Sequence, residues 1–585
     1  MDFNIPDKIA RTICSTVFVA LASLGSAAAI PGETREITLS VDAAADRQAI
    51  HPEIYGVMFG TEADLKANNT TLSRHGGNYA TRYNWVLNAS NHARAWYLSR
   101  VEPGGHKPAG LVDAVMENSR AAGASAMITI PICGWVAKLA PDGDPLWSYS
   151  IAKYGLQTGH GTGEFSDAGT GFRSHDGAQI TNNDPTDANQ PSSPEFQGGM
   201  VKHLVDRWGK ASEGGVRYYL MDNEPSIWWA NHGDVIRTGT STAELRDAIA
   251  AYATVVRQVD PSALIGAPEE WGWNAFFYSG LDQQWGDAQK KITGNHPEGS
   301  APYPDRAARG GMDNIPWLLK ELCAREKATG VRLLDVFTFH CYPAGGEFGD
   351  DVSKEMQLRR NRSTRMLWDP NYRDESWIND TVRMIPRMRD LVANYYPGLQ
   401  IGLTEYDWGA VDHINGATAQ ADVLGIFGRE GLDLATREQV GIHGIDDREG
   451  LDLPKRWTPP AGSTMVDKAF QMYRNYDGRR STFGDTRVRI VNSANVDDVS
   501  SFAAERSKDG ALTVMIVAKV LTGVRSIDIG LNNFAAGDKA QVWQLTAAGR
   551  IDRLVDLAVT NSSAKLSVPA QSVTLVVFPR TPVSP

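Results

Sequence analysis

"RYYLMDNEPSIWW", residues 217–229, begins as a buried strand and stops being one within five residues. Tyr218 to Met221 are large and apolar. Asp222, Asn223 and Glu224 then follow without a break, and Pro225 removes the backbone donor that a sheet ladder needs. Trp228 and Trp229 follow within four residues. Three adjacent polar groups ahead of a proline have no place inside a sheet, so they mark the end of a strand. Seven other stretches have the same texture: "EIYGVMFG" (53–60), "ATRYNW" (80–85), "SAMITIPIC" (125–133), "ALIGAPEEWG" (263–272), "DVFTFHCYP" (335–343), "QIGLTEYDWG" (400–409) and "GLDLATREQV" (431–440). Each has a short body rich in β-formers, as in strands buried on both faces.

Helical periods separate these runs. "GGMVKHLVDRWG" places Met200, Val201, Leu204, Val205 and Trp208 on one stripe. "STAELRDAIAAYATVVRQVDP" opens on a Ser/Thr cap with Glu244 in its first turn and stops before Pro261. "ATAQADVLGIFGREG" and "GSTMVDKAFQMYRNYDG" follow the last two runs. Strand then helix, eight times over residues 51–478, predicts an α/β chain built as a (β/α)8 barrel. The excess over about 250 residues is assigned to loop insertions at 141–195, 273–310 and 344–375. From 479 to 585 the texture changes to short alternating strands with turn signals, which predicts a C-terminal antiparallel β-sandwich. Residues 30–50 alternate likewise and are expected to add a strand to it.

Residues 1–29 read as an export signal: Lys8 and Arg11 precede an apolar run to Leu24, and Gly25-Ser26-Ala27-Ala28-Ala29 offers a cleavage site. The run is shorter than the about 20 residues of a membrane span. The expected location is therefore outside the cell or in a periplasm. A net charge of −11 argues against nucleic acid and anionic membrane as partners. Three cysteines remain after the signal, too few for a disulfide scaffold, and no zinc-type ligand spacing occurs. The Asp/Asn-rich loop "NNDPTDAN" (182–189) has the composition of a structural calcium site or of a plain turn-rich loop.

Parallel barrel strands open their C-terminal ends onto one face, where residues from different strands meet. Asn223 and Glu224 stand at the lip of the fourth run and Glu405 at that of the seventh, so both carboxylates are expected across one cleft. Such a pair suits glycosidic cleavage: one carboxyl protonates the leaving oxygen, while the other attacks the anomeric carbon or activates a water. Trp85, Trp135, Trp228, Trp229, Trp271, Trp273 and Trp408 lie at or just beyond the predicted lip and suit stacking on sugar faces, with about half of them expected in the core. His340 and Tyr342 are placed to position Glu405. The competing reading from another class is an inert polysaccharide-binding protein, which has no need of both carboxylates.

With these residues in view, the chain resembles glycoside hydrolase family 44, the retaining endo-β-1,4-glucanases that often also cut xyloglucan. The resemblance is carried by "IYGVMFG", "HGGNYATRYNWVLNASN", "YYLMDNEPSIWWANHGDV", "DVFTFHCYP", "LTEYDWGAVDHINGATAQADVLGIFGREGLDLAT" and "AFQMYRNYDGRRSTFGDT". It implies Glu224 as acid/base, Glu405 as nucleophile, Asn223 on the sugar 2-hydroxyl, Tyr342 on the nucleophile, and Arg82, Asn84 and Trp85 lining the glycone side. Arg82 is the expected cation beside Glu405. The implied enzyme acts on a β-1,4-linked polysaccharide (glucan first, then xyloglucan, xylan or mannan), as a monomer and without a cofactor. Three positions depart from the family pattern: Arg437 where an aromatic is usual, His75 ahead of Gly76-Gly77 in place of Trp, and Thr338 where Asp is common.

Overall fold

The computed structural model describes residues 36–94, 96–297, 301–438 and 460–581. The expected signal segment 1–29 lies outside them.

Eight strands close into a parallel barrel: Gly56–Met58, Leu72–His75, Ser125–Ile130, Tyr218–Met221, Leu264–Glu270, Val336–Cys341, Gln400–Tyr406 and Leu434–Arg437, each paired with its neighbours in sequence order and the last with the first. Leu72, Met127, Tyr218, Leu220, Val336 and Leu434 fill one interior layer and are fully buried. Room for that layer comes from glycine: a Cβ on Gly402 would meet Leu434 Cδ1 at 2.4 Å, and one on Gly266 would meet Leu220 Cδ2 at 2.8 Å. Helices follow the strands and pack outside, among them Pro194–Trp208, Thr242–Val259, Ile414–Glu430 and Met465–Arg474. The helix Thr242–Val259 starts from Ser241, whose hydroxyl and Glu244 form a reciprocal capping box.

The second strand is a correction. The stretch 80–85 is not a barrel strand. Ala80–Arg82 is a 3-10 turn, and Asn84 bridges to Ala89 in a tight loop. The strand is Leu72–His75, only four residues long and carrying two cationic types, so it has none of the apolar run that marks the others. Its alternation sends Leu72 into the interior layer and leaves Arg74 for the mouth.

Two further sheets follow the barrel. One runs Gln48–Ala49, Thr486–Arg487, Val499–Glu505, Leu512–Ala518, Ser572–Phe578, Lys539–Leu545, Ile551–Arg553 and is antiparallel throughout. The other holds Arg489–Asn492, Ile37–Asp42, Val524–Asn532 and Ser563–Pro569 in that order. There Ile37–Asp42 runs parallel to Val524–Asn532, the one departure from antiparallel pairing in these sheets among the described residues. The helix Ile414–Glu430 is clamped between barrel and sheets. Every residue from Ile414 to Gly428 is buried, Phe502 fills the space a Cβ on Gly425 would take, and Lys519 pairs with Asp422 at 2.8 Å with both side chains buried. Cys133, Cys323 and Cys341 are free and buried.

Candidate active site

The "DNEP" turn divides its labour. Asp222 does not face the cleft. One of its oxygens accepts from the backbone N–H of Ile132 (2.5 Å) and Cys133 (3.1 Å), the other from Asn223 N–H (2.8 Å), which ties the fourth strand end to the third. The tie holds a costly backbone: Asp222 (φ 68°), Glu224 (φ 48°) and Glu269 (φ 59°) are all left-handed, at about 1–2 kcal/mol each for non-glycine residues. Glu224 N–H donates to the Glu269 carbonyl at 2.8 Å, and Pro225 starts the next turn. Asn223 and Glu224 are thereby turned inward.

Glu224 and Glu405 meet. One oxygen of each, together with a ring nitrogen of His340, fall within 4.8 Å of one another. His340 Nδ1 lies 3.1 Å from Glu224 Oε1 and 3.7 Å from Glu405 Oε2, and its Nε2 lies 3.4 Å from Glu269 Oε2. Arg74, with no solvent exposure, spans the floor. Its Nη1 donates to Glu405 Oε2 (2.9 Å), and its Nη2 to Glu269 Oε2 (2.9 Å) and Asn223 Oδ1 (2.9 Å). Gly76 is the residue that permits this, because a Cβ there would meet the Arg74 Cζ at 2.4 Å. Tyr342 Oη contacts Glu405 Oε1 at 2.7 Å, and Thr404 Oγ1 donates to Glu269 Oε1 at 3.0 Å.

The charges sort accordingly. Burial opposes the charge on His340, but Glu405, Glu224 and Glu269 around it push its pKa up to about 10, so both ring nitrogens donate. Burial also pushes Glu405 up, yet His340, Arg74 and Tyr342 outweigh it and hold the carboxyl below its ordinary range. Glu269 is held low by Arg74 and His340 against the same effect of burial. Glu224 goes the other way, raised by burial and by the Glu405 anion against the pull of His340. The two cations therefore face Glu405 and Glu269, and the two carboxyls across the cleft are pushed apart, Glu224 upward and Glu405 downward.

Other expected residues lie elsewhere. Arg82 is not the cation beside Glu405: it is fully buried and bonded to Asp234 (2.8 Å), and Arg74 takes the place expected of it. Asn84 donates to the Ala137 carbonyl (2.7 Å) and accepts from Val86 and Leu87, shaping its own loop. Trp85 donates to the Phe196 carbonyl and packs on the helix Pro194–Trp208. Trp408 is core, 1% exposed, its indole N–H on Ser363 Oγ. Trp135 and Trp271 stay half-buried past the third and fifth strands, Trp271 bonded to Gln283. In the loop 182–189 the acidic side chains are already engaged, Asp184 by Thr186 and Asp187 by Lys153 and Tyr154. Arg437 is buried against Asp407 at 2.5 Å. Four groups at the site were not anticipated: Arg74, Glu269, Glu438, whose Oε2 lies 2.6 Å from Tyr342 Oη, and Phe348, an exposed ring set edge-on to Tyr342.

This arrangement has known relatives. A family model described as glycoside hydrolase family 44 matches residues 89–345. The crystal structure of CelM2, a bifunctional glucanase-xylanase protein from a metagenome library, is 50% identical, covers 93% of this chain and 99% of its own, and superposes with a TM-score of 0.86. The chain belongs to glycoside hydrolase family 44. It is accordingly a glycoside hydrolase, and its barrel and sheets are those of family 44 enzymes. It is also similar to Endoglucanase A of Paenibacillus lautus, 28% identical over 91% of this chain and 71% of that protein. A xyloglucanase of the family from Paenibacillus polymyxa, solved with xyloglucan, is 25% identical over 94% of this chain and 100% of its own, with a TM-score of 0.73. The Beta-mannanase/endoglucanase A of Caldicellulosiruptor saccharolyticus is 26% identical over 92% of this chain, which spans 39% of that protein's length.

Proposed function

We propose that the protein is a secreted endo-β-1,4-glucanase that works with retention of anomeric configuration. The observation that carries this is the separation of the two carboxylates. Retaining enzymes hold theirs about 5–5.5 Å apart, whereas inverting enzymes need ~6.5–9.5 Å to admit a water. One oxygen of Glu224 and one of Glu405 lie within 4.8 Å of each other, which supports the shorter spacing.

In this reading, Glu405 attacks the anomeric carbon while the proton on Glu224 passes to the departing glycosidic oxygen. The bond from carbon to Glu405 forms as the bond to the leaving sugar breaks. Esterification removes the Glu405 charge that keeps Glu224 protonated, so Glu224 becomes a base at the moment one is needed. It then takes a proton from water, the resulting hydroxide attacks the same carbon, and Glu405 leaves as carboxylate. Asn223, its oxygen fixed by Arg74 and Gly77, is the residue assigned to the sugar 2-hydroxyl, which its amide N–H would bond. The electrostatic floor of Arg74, His340 and Glu269 is preorganised and fully buried, so it needs no rearrangement during the reaction.

The substrate is a β-1,4-glucan, with xylan as a second substrate on the strength of the 50% identity to a protein named as a glucanase-xylanase. Among the described residues no helix is long and apolar enough to cross a membrane. The test is the anomer first released from cellopentaose, followed by proton NMR before mutarotation. The β-anomer is expected. The α-anomer would overturn the retaining reading.

A further inference from the structure

Tyr342 carries one hydroxyl proton, yet its oxygen sits 2.7 Å from Glu405 Oε1 and 2.6 Å from Glu438 Oε2. A hydroxyl can donate once; any second hydrogen bond it makes must be accepted. One of the two carboxyls must therefore supply a proton to the tyrosine oxygen. Glu405 is the wrong one, since Arg74 lies 2.9 Å from its other oxygen and His340 lies 3.7 Å from it.

Glu438 has the opposite surroundings. It is the first residue after the eighth barrel strand, and its backbone is pinned on both sides: its N–H donates to the Tyr406 carbonyl (3.0 Å), and its own carbonyl accepts from Arg437 Nη1 (2.8 Å). The Arg437 guanidinium goes on to Asp407, not to the Glu438 carboxyl. Among the described residues, Glu405 and Asp407, from the seventh strand and its end, are the anions that bear most on Glu438, and both disfavour a further negative charge. Arg74 and His340 are turned toward Glu405 and Glu269. Burial and then Glu405 push the Glu438 pKa up to about 8, and Tyr342 is driven well above its ordinary value by burial and by the same two carboxyls.

We propose that Glu438 is a positioning residue kept as a neutral carboxylic acid. It donates its proton to the Tyr342 oxygen, so that Tyr342 is left to give its own proton to Glu405. The relay runs one way, from Glu438 through Tyr342 to the nucleophile. It fixes the Glu405 oxygen and strengthens the tyrosine as a donor without adding charge to the floor. No proton leaves the site, and the Glu438 proton is not consumed in either half of the reaction. This rests on the reading of Glu405 as the nucleophile.

Glu438→Gln is the discriminating substitution, because the amide keeps a donor for Tyr342 and removes only the ability to ionise. The infrared carbonyl stretch of neutral carboxyls, taken as a difference between wild type and Glu438→Gln at pH 6.5, is expected to contain one carboxylic acid lost in the variant. The acid limb of kcat/KM is expected to stay within about 0.3 pH unit of wild type, with kcat/KM at the optimum within about threefold, since the neutral hydrogen bond survives. An ionised Glu438 would predict a carboxylate lost from the difference spectrum. It would also predict an acid limb moved to lower pH by about a unit, because one anion beside Glu405 would be gone; either result overturns the proposal. If the Gln variant does not fold, Glu270→Gln protein carries the measurement, with the other carboxyl whose pKa lies near 8 removed. A neutral-carboxyl band that titrates near pH 8 is then expected, and its absence overturns the proposal. The infrared result does not depend on which residue is the nucleophile, so a failure of the Glu405 assignment would be seen separately.

Discussion

Arg74→Met puts the buried charge balance under the most direct strain. Arg74 is the shared donor for Glu405, Glu269 and Asn223, all at 2.9 Å, and it has no exposure to solvent. Methionine keeps most of the volume and removes the charge. Glu405 and Glu269 then face one another with only His340 between them. A charge-assisted hydrogen bond contributes about 1.5–3 kcal/mol, which corresponds to about 1–2 pKa units on Glu405. The sign follows from the cause: the guanidinium lowers the Glu405 pKa, so its loss raises it, and the acid limb of kcat/KM moves to higher pH by at least one unit. Stability should fall by about 3–5 kcal/mol, as expected when one partner of a buried pair is removed. The double variant Arg74→Met, Glu269→Gln removes one of the two stranded anions and should recover part of that loss. The assay is kcat/KM on a soluble glucan between pH 4 and 8, with urea unfolding of the single and double variants. An unmoved acid limb, together with a double variant no more stable than the single, would refute the reasoning.

Two further outcomes are expected. Glu270 is fully buried with Ser226 Oγ on one oxygen and no partner on the other, and burial followed by Glu224 raises its pKa from 4.5 to about 8. A raised carboxyl favours the fold below its unfolded pKa and loses that contribution as pH climbs toward the folded one, so wild-type stability should decline between pH 4.5 and 8. The decline is at most about 5 kcal/mol for this group, and thermal unfolding of Glu270→Gln should show a flatter dependence. Truncation after residue 478 strips the buried face of the helix Ile414–Glu430 and strands Asp422 without Lys519, so the shortened chain should be insoluble on expression. A soluble, active barrel would contradict the packing role given to the C-terminal sheets.

Much of this was legible in the chain. Seven of the eight barrel strands announce themselves as apolar runs, and the helix Thr242–Val259 begins and ends where its capping box and Pro261 place it. The carboxylates were legible as a pair, because both end apolar runs and both sit among Asn, Tyr and Trp. The second strand was not, since four residues containing Arg and His carry no hydrophobic period. The same blind spot hid Arg74: its role depends on the barrel closing the second strand beside the third and first, and nothing local encodes that. Arg82 was expected there from the resemblance of its stretch to the family's second strand end, but that stretch is a loop in which Arg82 pairs with Asp234. Glu269 and Glu438 follow each from a strand end, as Glu224 and Glu405 do, so the strand-end rule reaches them. What it could not supply is which oxygen each shares, and therefore which carboxyl is neutral.

The central claim is that Glu405 forms a covalent bond to the sugar. Incubation with a 2-deoxy-2-fluoro cellobioside bearing a good leaving group, followed by proteolysis and mass spectrometry, tests it most directly. One fluoroglycosyl label per chain is expected, on the peptide containing "LTEYDWG" and on Glu405 within it. A label on any other residue, or turnover of the reagent with no covalent adduct under conditions where Glu224→Gln also fails to accumulate one, would contradict it.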